Sequence, residues 1–93
     1  MKKGLIINVD QTQRVVEQED FDLEFLQKIV GGNIQLVKTI EDQDMVVNEE
    51  GIMLKLPPNP RATELLHPHF KEGFEPATQV YGNVFIFIKG NLS

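Results

Sequence analysis

The sequence contains no cysteine and no tryptophan, only one tyrosine, and one serine at its last position. The missing cysteine excludes disulfides, thiolate zinc sites and thiol nucleophiles. With serine confined to the end, a hydroxyl nucleophile would have to be Thr12, Thr39, Thr63 or Thr78, and none lies in an activating motif. Glu49 and Glu50 are neighbours and would point to opposite sides of a strand, which does not suit a facing carboxylate pair. No glycine-rich phosphate cradle is present. Binding without catalysis is therefore the expectation, with no cofactor. Long apolar runs are also missing. Lys2 and Lys3 precede an apolar stretch that Asn8 breaks, too short for a signal peptide, and no segment approaches a membrane span. A cytoplasmic protein is expected.

Positive charge is scarce and unevenly placed. Residues 1–50 carry 11 acids against 5 bases, and residues 51–93 carry 3 acids against 4 bases, within a net charge of −5. Nucleic acid is disfavoured as a partner, because phosphate backbones require clustered Lys and Arg. The acidic cluster Glu17–Glu24, with Glu41, Asp42 and Asp44, is open to two readings: a solvated face, or a surface for a basic protein.

What is present suits one small domain over all 93 residues. A domain this small buries roughly 60–65% of its unfolded surface, so a partner or a second copy would add useful stability. Residues 4–9 and 14–18 pattern as a hairpin around a polar turn. Leu23, Leu26, Ile29 and Val30 share a helical face, with Asp22 as N-cap and Gly31-Gly32 as the stop. Residues 33–40 return to alternation, and Asp42 to Asp44 suggest a turn. Met45–Asn48 and Ile52–Leu56 pattern as a second hairpin closed at Gly51. Pro57 and Pro58 end that strand, Asn59 suits an N-cap, and Pro60 suits the first position of a short helix with Ala62, Leu65 and Leu66 on its apolar face. A polar loop over 70–79 leads to residues 80–88, apolar on both faces and hence a central strand or a covered edge. The expected fold is α+β, β-β-α-β-β-β-α-β, with one mainly antiparallel sheet and two short helices.

Three motifs in order carry a resemblance: Val30-Gly31-Gly32 at a helix end, Asn48-Glu49-Glu50-Gly51 leading to Leu56-Pro57-Pro58-Asn59, and Gly82 inside the last apolar strand. The chain resembles the domain of unknown function 3846 family, small proteins of phages, plasmids and related elements of Firmicutes and other bacteria. The resemblance covers most of residues 23–88. The stretch 67–78 before the last strand is longer and richer in His than the family's usual connection. An accessory protein of a mobile element, working in the host cytoplasm, is what the resemblance implies. It supplies no reaction and no ligand.

The candidate site is the helix-start corner at Asn59, Arg61 and Thr63, where free amides and a guanidinium could hold an anion. The competing reading is capping by Asn59 and pairing of Arg61 with Glu64. His67, His69 and Tyr81 could complete a ligand site, in part from a neighbouring protomer. His67 and His69 lack a convincing third metal ligand. Phe70, Phe74 and Tyr81 could anchor a partner or plug the end of the sheet. Two functions follow as expectations: sequestration of a small nucleotide-like anion against a host defence, by a homo-oligomer, or acidic inhibition of a host protein.

Overall fold

The N-terminal hairpin forms where the pattern places it. In the computed structural model, which describes residues 1–68 and 79–88, Lys2–Ile7 (β1) pairs antiparallel with Gln13–Gln18 (β2). The turn lacks an Asn-Gly pair and uses side chains instead. The Asp10 carboxylate accepts from the Thr12 amide and hydroxyl at 2.9 and 2.6 Å, while Gln11 takes the left-handed position at φ 73°.

Leu23–Val30 forms the first helix, α1. Asp22 caps it by accepting from the Phe25 amide at 2.9 Å, and Gly31 ends it at φ 83°, a conformation that costs a residue with a Cβ. Leu26 and Val30 face inward as expected. Leu23 does not: it is 56% exposed. Phe21, which precedes the helix, takes the place below the first turn, stacking on Phe25 at 5.5 Å and meeting Phe85 edge-on at 4.8 Å. An aromatic pair already fills that space, so Leu23 turns to solvent.

Ile34–Lys38 (β3) and Asp44–Asn48 (β4) form the second hairpin, closed by a turn over residues 39–43 that ends before Asp44. The buried Thr39 hydroxyl organises this turn by accepting from the Glu41 and Gln43 amides. Pro60–Leu65 is the second helix, α2, and Val84–Ile88 is the last strand, β5. The strands order as β2-β1-β5-β4-β3, antiparallel throughout. β5 is central, which accounts for its apolar side chains on both faces. Phe85 and Phe87 join Ile6, Phe21, Leu26 and Val46 beneath α1, while Val84 and Ile86 join Ile7, Met45, Val47, Ala62 and Leu66 beneath α2. The α+β class and a sheet with two short helices are as expected.

One expected strand is absent. Ile52–Leu56 forms no ladder but a tight coil, with Leu54 N donating to Glu50 O, Lys55 N to Ile52 O and Leu56 N to Gly51 O. The alternation of Ile52, Leu54 and Leu56 misleads because β4 has no vacant side: β5 and β3 occupy both. Asn48 starts the coil, accepting from Glu50 N at 2.7 Å through Oδ1 and donating to Val30 O through Nδ2. Ile52, Met53 and Leu54 are left exposed.

Surface carboxylates add a pH dependence. Hydrogen bonds from Thr12 hold Asp10 below the ordinary carboxylate range, and a hydrogen bond from Lys2 does the same for Asp20. A depressed carboxylate stabilises fully above its unfolded pKa and loses that contribution as pH falls through its folded value. Urea midpoints should therefore hold steady from neutral pH to the carboxylate range and fall below it. Asp10→Asn and Asp20→Asn should flatten that acid limb.

Candidate functional site

The fold consumes the polar groups of the corner at residues 57–63. Asn59 is fully buried. Its Nδ2 donates to the carbonyls of Ile7 and Gly82 at 3.0 Å each, tying β1 to the entry of β5. Its Oδ1 accepts from the Ala62 amide at 3.3 Å, as an N-cap does, and from Gln11 Nε2 at 3.2 Å. Pro60 has no N–H to offer, the Arg61 amide donates to Gln11 Oε1 at 3.0 Å, and the Thr63 amide donates to Asn59 O. The Thr63 hydroxyl donates to the same carbonyl and accepts from Val80 N. The Arg61 guanidinium pairs with Glu64 at 3.1 Å on the surface. The first-turn amides thus already have partners within the chain, and Gln11, in the first hairpin's turn, is the piece that sequence spacing could not place there.

The other candidates separate. His67 donates its backbone N–H to Lys38 O, at the far end of α2. Tyr81 is half-buried, bridged to Pro58 and in close approach to Gly51. It lines a groove of about 480 Å³ between β3–β4 and the exposed coil, with Val37, Val47, Ile52, Met53 and the carboxylate-bearing Glu49 and Glu50. No Lys, Arg or His is among the described lining residues. His69, Phe70, Phe74 and the loop read over 70–79, except Gln79, lie outside the described residues. Among the described residues, no group of three or more His, Asp or Glu is placed to hold a metal, and no helix is long and apolar enough to cross a membrane.

A second concavity carries the opposite charge. Helix α1 packs chiefly over β3, β4 and β5, and a concavity lies where its last turn faces β1 and β2. There a cleft of about 300 Å³ is lined by Ile6, Asn8, Arg14, Lys28, Ile29 and Asn83. The β1–β2 register sets Arg14 opposite Ile6, which fixes its side chain on the α1 face. Lys28 comes to the cleft from the last turn of α1, beside Ile29. Asn83 is held by Val9 N, which donates to its Oδ1 at 2.9 Å and leaves the side-chain amine as its donor. Among the described residues, Lys2, Lys3, Lys38 and Arg61 each have a carboxylate within reach, at 2.7–3.7 Å, whereas Arg14, Lys28 and Lys55 have none. Of these three, Arg14 and Lys28 line one cleft, in a chain whose acids outnumber its bases.

The match to a family model settles which group of proteins this is. The chain belongs to the family described as Domain of unknown function (DUF3846). That family's model matches residues 1–91. Comparison with curated proteins and with solved structures finds no match. Among the described residues, the DUF3846 domain seen here has a sheet with a helix on each face, and its concavities include two of unlike charge, one apolar with a carboxylate rim and one polar with two cations.

Proposed function

We propose that this DUF3846 protein is a non-catalytic binding protein that captures a small phosphate-bearing molecule in the Arg14–Lys28 cleft. The convergence of two cations without carboxylate partners carries the reading. A guanidinium offers a planar fork to phosphate oxygens, an ammonium adds a compact charge, and the Asn83 amine supplies a neutral donor. Ile6 and Ile29 give the cleft an apolar side against which a nucleoside-sized group can rest. This moves the expected anion site from the Asn59–Arg61 corner, whose amides are occupied, to the opposite face. Sequestration of a nucleotide-like ligand against a host defence in the host cytoplasm is the biological form this reading takes, on the setting that the family resemblance implies.

Calorimetric titration with adenosine monophosphate and inorganic phosphate tests it. Saturable binding is expected, weakened about tenfold by Arg14→Ala or Lys28→Ala, the effect of losing one charge-assisted contact at a partly exposed site. Arg61→Ala should leave it unchanged. No heat with either compound, or equal loss with Arg61→Ala, would remove the support for this reading.

A second reading rests on the exposed apolar run Ile52-Met53-Leu54 beside the carboxylate-rimmed groove. That surface suits a basic, partly apolar segment of a host protein, more than the acidic cluster at residues 17–24 does. Glu17 and Asp20 are already paired with Lys3 and Lys2, and Asp44 with Lys38.

A further inference from the structure

Two asparagines line the Arg14–Lys28 cleft, and hydrogen bonds fix which way each amide faces. The Thr12 hydroxyl has one proton, which goes to Asp10 Oδ1 at 2.6 Å. Its oxygen is left to accept, and it accepts from Asn8 Nδ2 at 3.0 Å. The Asn8 amine therefore serves the hairpin's turn. Asn8 Oδ1 remains as an acceptor, with no hydrogen bond among the described residues. Asn83 is set the other way round. Val9 N occupies its Oδ1, so its amine is the group left over. Both side chains belong to half-buried residues. The cleft thus offers two cations, a neutral donor and a neutral acceptor.

Charge and space narrow what can sit there. No Asp or Glu is among the described lining residues, and Glu24, one turn before Lys28 on α1, makes no ion pair with it. Two cations facing no carboxylate match a phosphomonoester, which carries about −1.5 to −2 at neutral pH on three terminal oxygens. A diester carries a single charge on two such oxygens, so one of the donor groups Arg14, Lys28 and Asn83 would go without a partner. At about 300 Å³ the cleft lies at the small end of the roughly 300–1,000 Å³ that ligand sites span, which suits a phosphoryl group with about one ring. Asn8 Oδ1 would repel a phosphoryl oxygen. It calls instead for a hydroxyl on the part of the ligand beyond the phosphate.

We infer that the cleft selects a phosphomonoester of a hydroxyl-bearing ring, a pentose or nucleoside monophosphate, over phosphodiesters and over bare phosphate. Arg14, Lys28 and the Asn83 amine hold the terminal oxygens. Ile6 and Ile29 meet the ring, and Asn8 Oδ1 accepts from one of its hydroxyls. This preference rests on the cleft being the binding site. It adds the ester type that the site takes and a residue that reads the ligand beyond its phosphate.

Calorimetric titration of the 93-residue chain with adenosine monophosphate, its 3′,5′-cyclic form and inorganic phosphate tests it. The cyclic compound keeps the base and closes the phosphate onto the sugar as a diester. Adenosine monophosphate should bind at least about tenfold tighter than either of the others. That ranking is read on the unaltered chain and needs no variant. Asn8→Ala, with its fold checked by circular dichroism, should weaken adenosine monophosphate about fivefold more than it weakens inorganic phosphate, the share of one neutral hydrogen bond. A purely structural role for Asn8 would weaken both alike, and that result overturns its assignment. Cyclic adenosine monophosphate or inorganic phosphate binding as tightly as the open nucleotide, and still weakened by Arg14→Ala, overturns the monoester preference while leaving the cleft as the site. Heat from none of the three removes the cleft as the site, and the preference with it.

Discussion

Asn59→Ala is expected to destabilise the protein by about 4 kcal/mol, a large share of the roughly 5–14 kcal/mol available to a domain of this size. Truncation strips the buried carbonyls of Ile7 and Gly82 of their donor, removes the N-cap of α2, and frees the Gln11 amide that closes the corner. Buried groups left without a partner lose their hydration and regain nothing. Asn59→Asp is the sharper variant. Aspartate caps helices about as well as asparagine, so a residue that only capped would tolerate the change. Here the carboxylate would face two carbonyl oxygens with no proton to donate, at a position with no exposure. Its loss should match or exceed that of the alanine variant. Chemical denaturation of the three proteins at neutral pH measures this, and an aspartate variant within about 1 kcal/mol of the parent would reduce Asn59 to a cap.

Gly4→Ala should cost about 3 kcal/mol by overpacking. Gly4 lies on β1 beneath the Phe85 ring, and a Cβ there would overlap that ring. Phe85 is fully buried and cannot swing aside, because Phe21, Phe25 and Phe87 meet it at centroid distances of 4.8, 5.8 and 5.1 Å. Close-packed interiors transmit such an insertion into strained rotamers and backbone shifts. The loss comes from space and not from a special backbone angle, so a smaller ring partner should relieve part of it. Thermal unfolding should place the double variant Gly4→Ala, Phe85→Leu nearer to Phe85→Leu alone than additivity predicts. Strictly additive losses would mean that the ring does not depend on the missing side chain.

Local chemistry was legible in the sequence wherever it acted through neighbours along the chain. Asp22 and Gly31 bound α1 as read, Asn59 and Pro60 start α2 as read, and the two-sided apolar pattern of β5 marks a central strand. Ile52–Leu56 was misread because the rule that decides it is not local. A strand pattern next to β4 matters only if β4 has an open side, and β5, from the far end of the chain, takes it. Leu23 failed for the same reason, displaced by Phe21 and Phe25 packing on Phe85.

The cleft that carries the proposal was not legible in the sequence as a place. An anion-binding site was sought where an arginine meets a helix start, because capping signatures are visible in sequence. The structure spends those donors internally, through Gln11 of the first hairpin's turn. Arg14 and Lys28 gave no such signal. They lie on a strand and a helix with ordinary polar neighbours, and only the β1–β2 register and the packing of α1 on the sheet set them around one cleft. The carboxylate-rimmed groove stayed hidden because its apolar wall, Ile52 and Met53, was assigned to a sheet.

The most direct test of the account follows backbone amide shifts by nuclear magnetic resonance while adenosine monophosphate is added to the 93-residue chain. Saturable shifts at Ile6, Asn8, Arg14, Lys28 and Asn83, with Arg61, Ala62 and Thr63 still, are the predicted result. Shifts centred on Arg61–Thr63, or none that saturate, would contradict it.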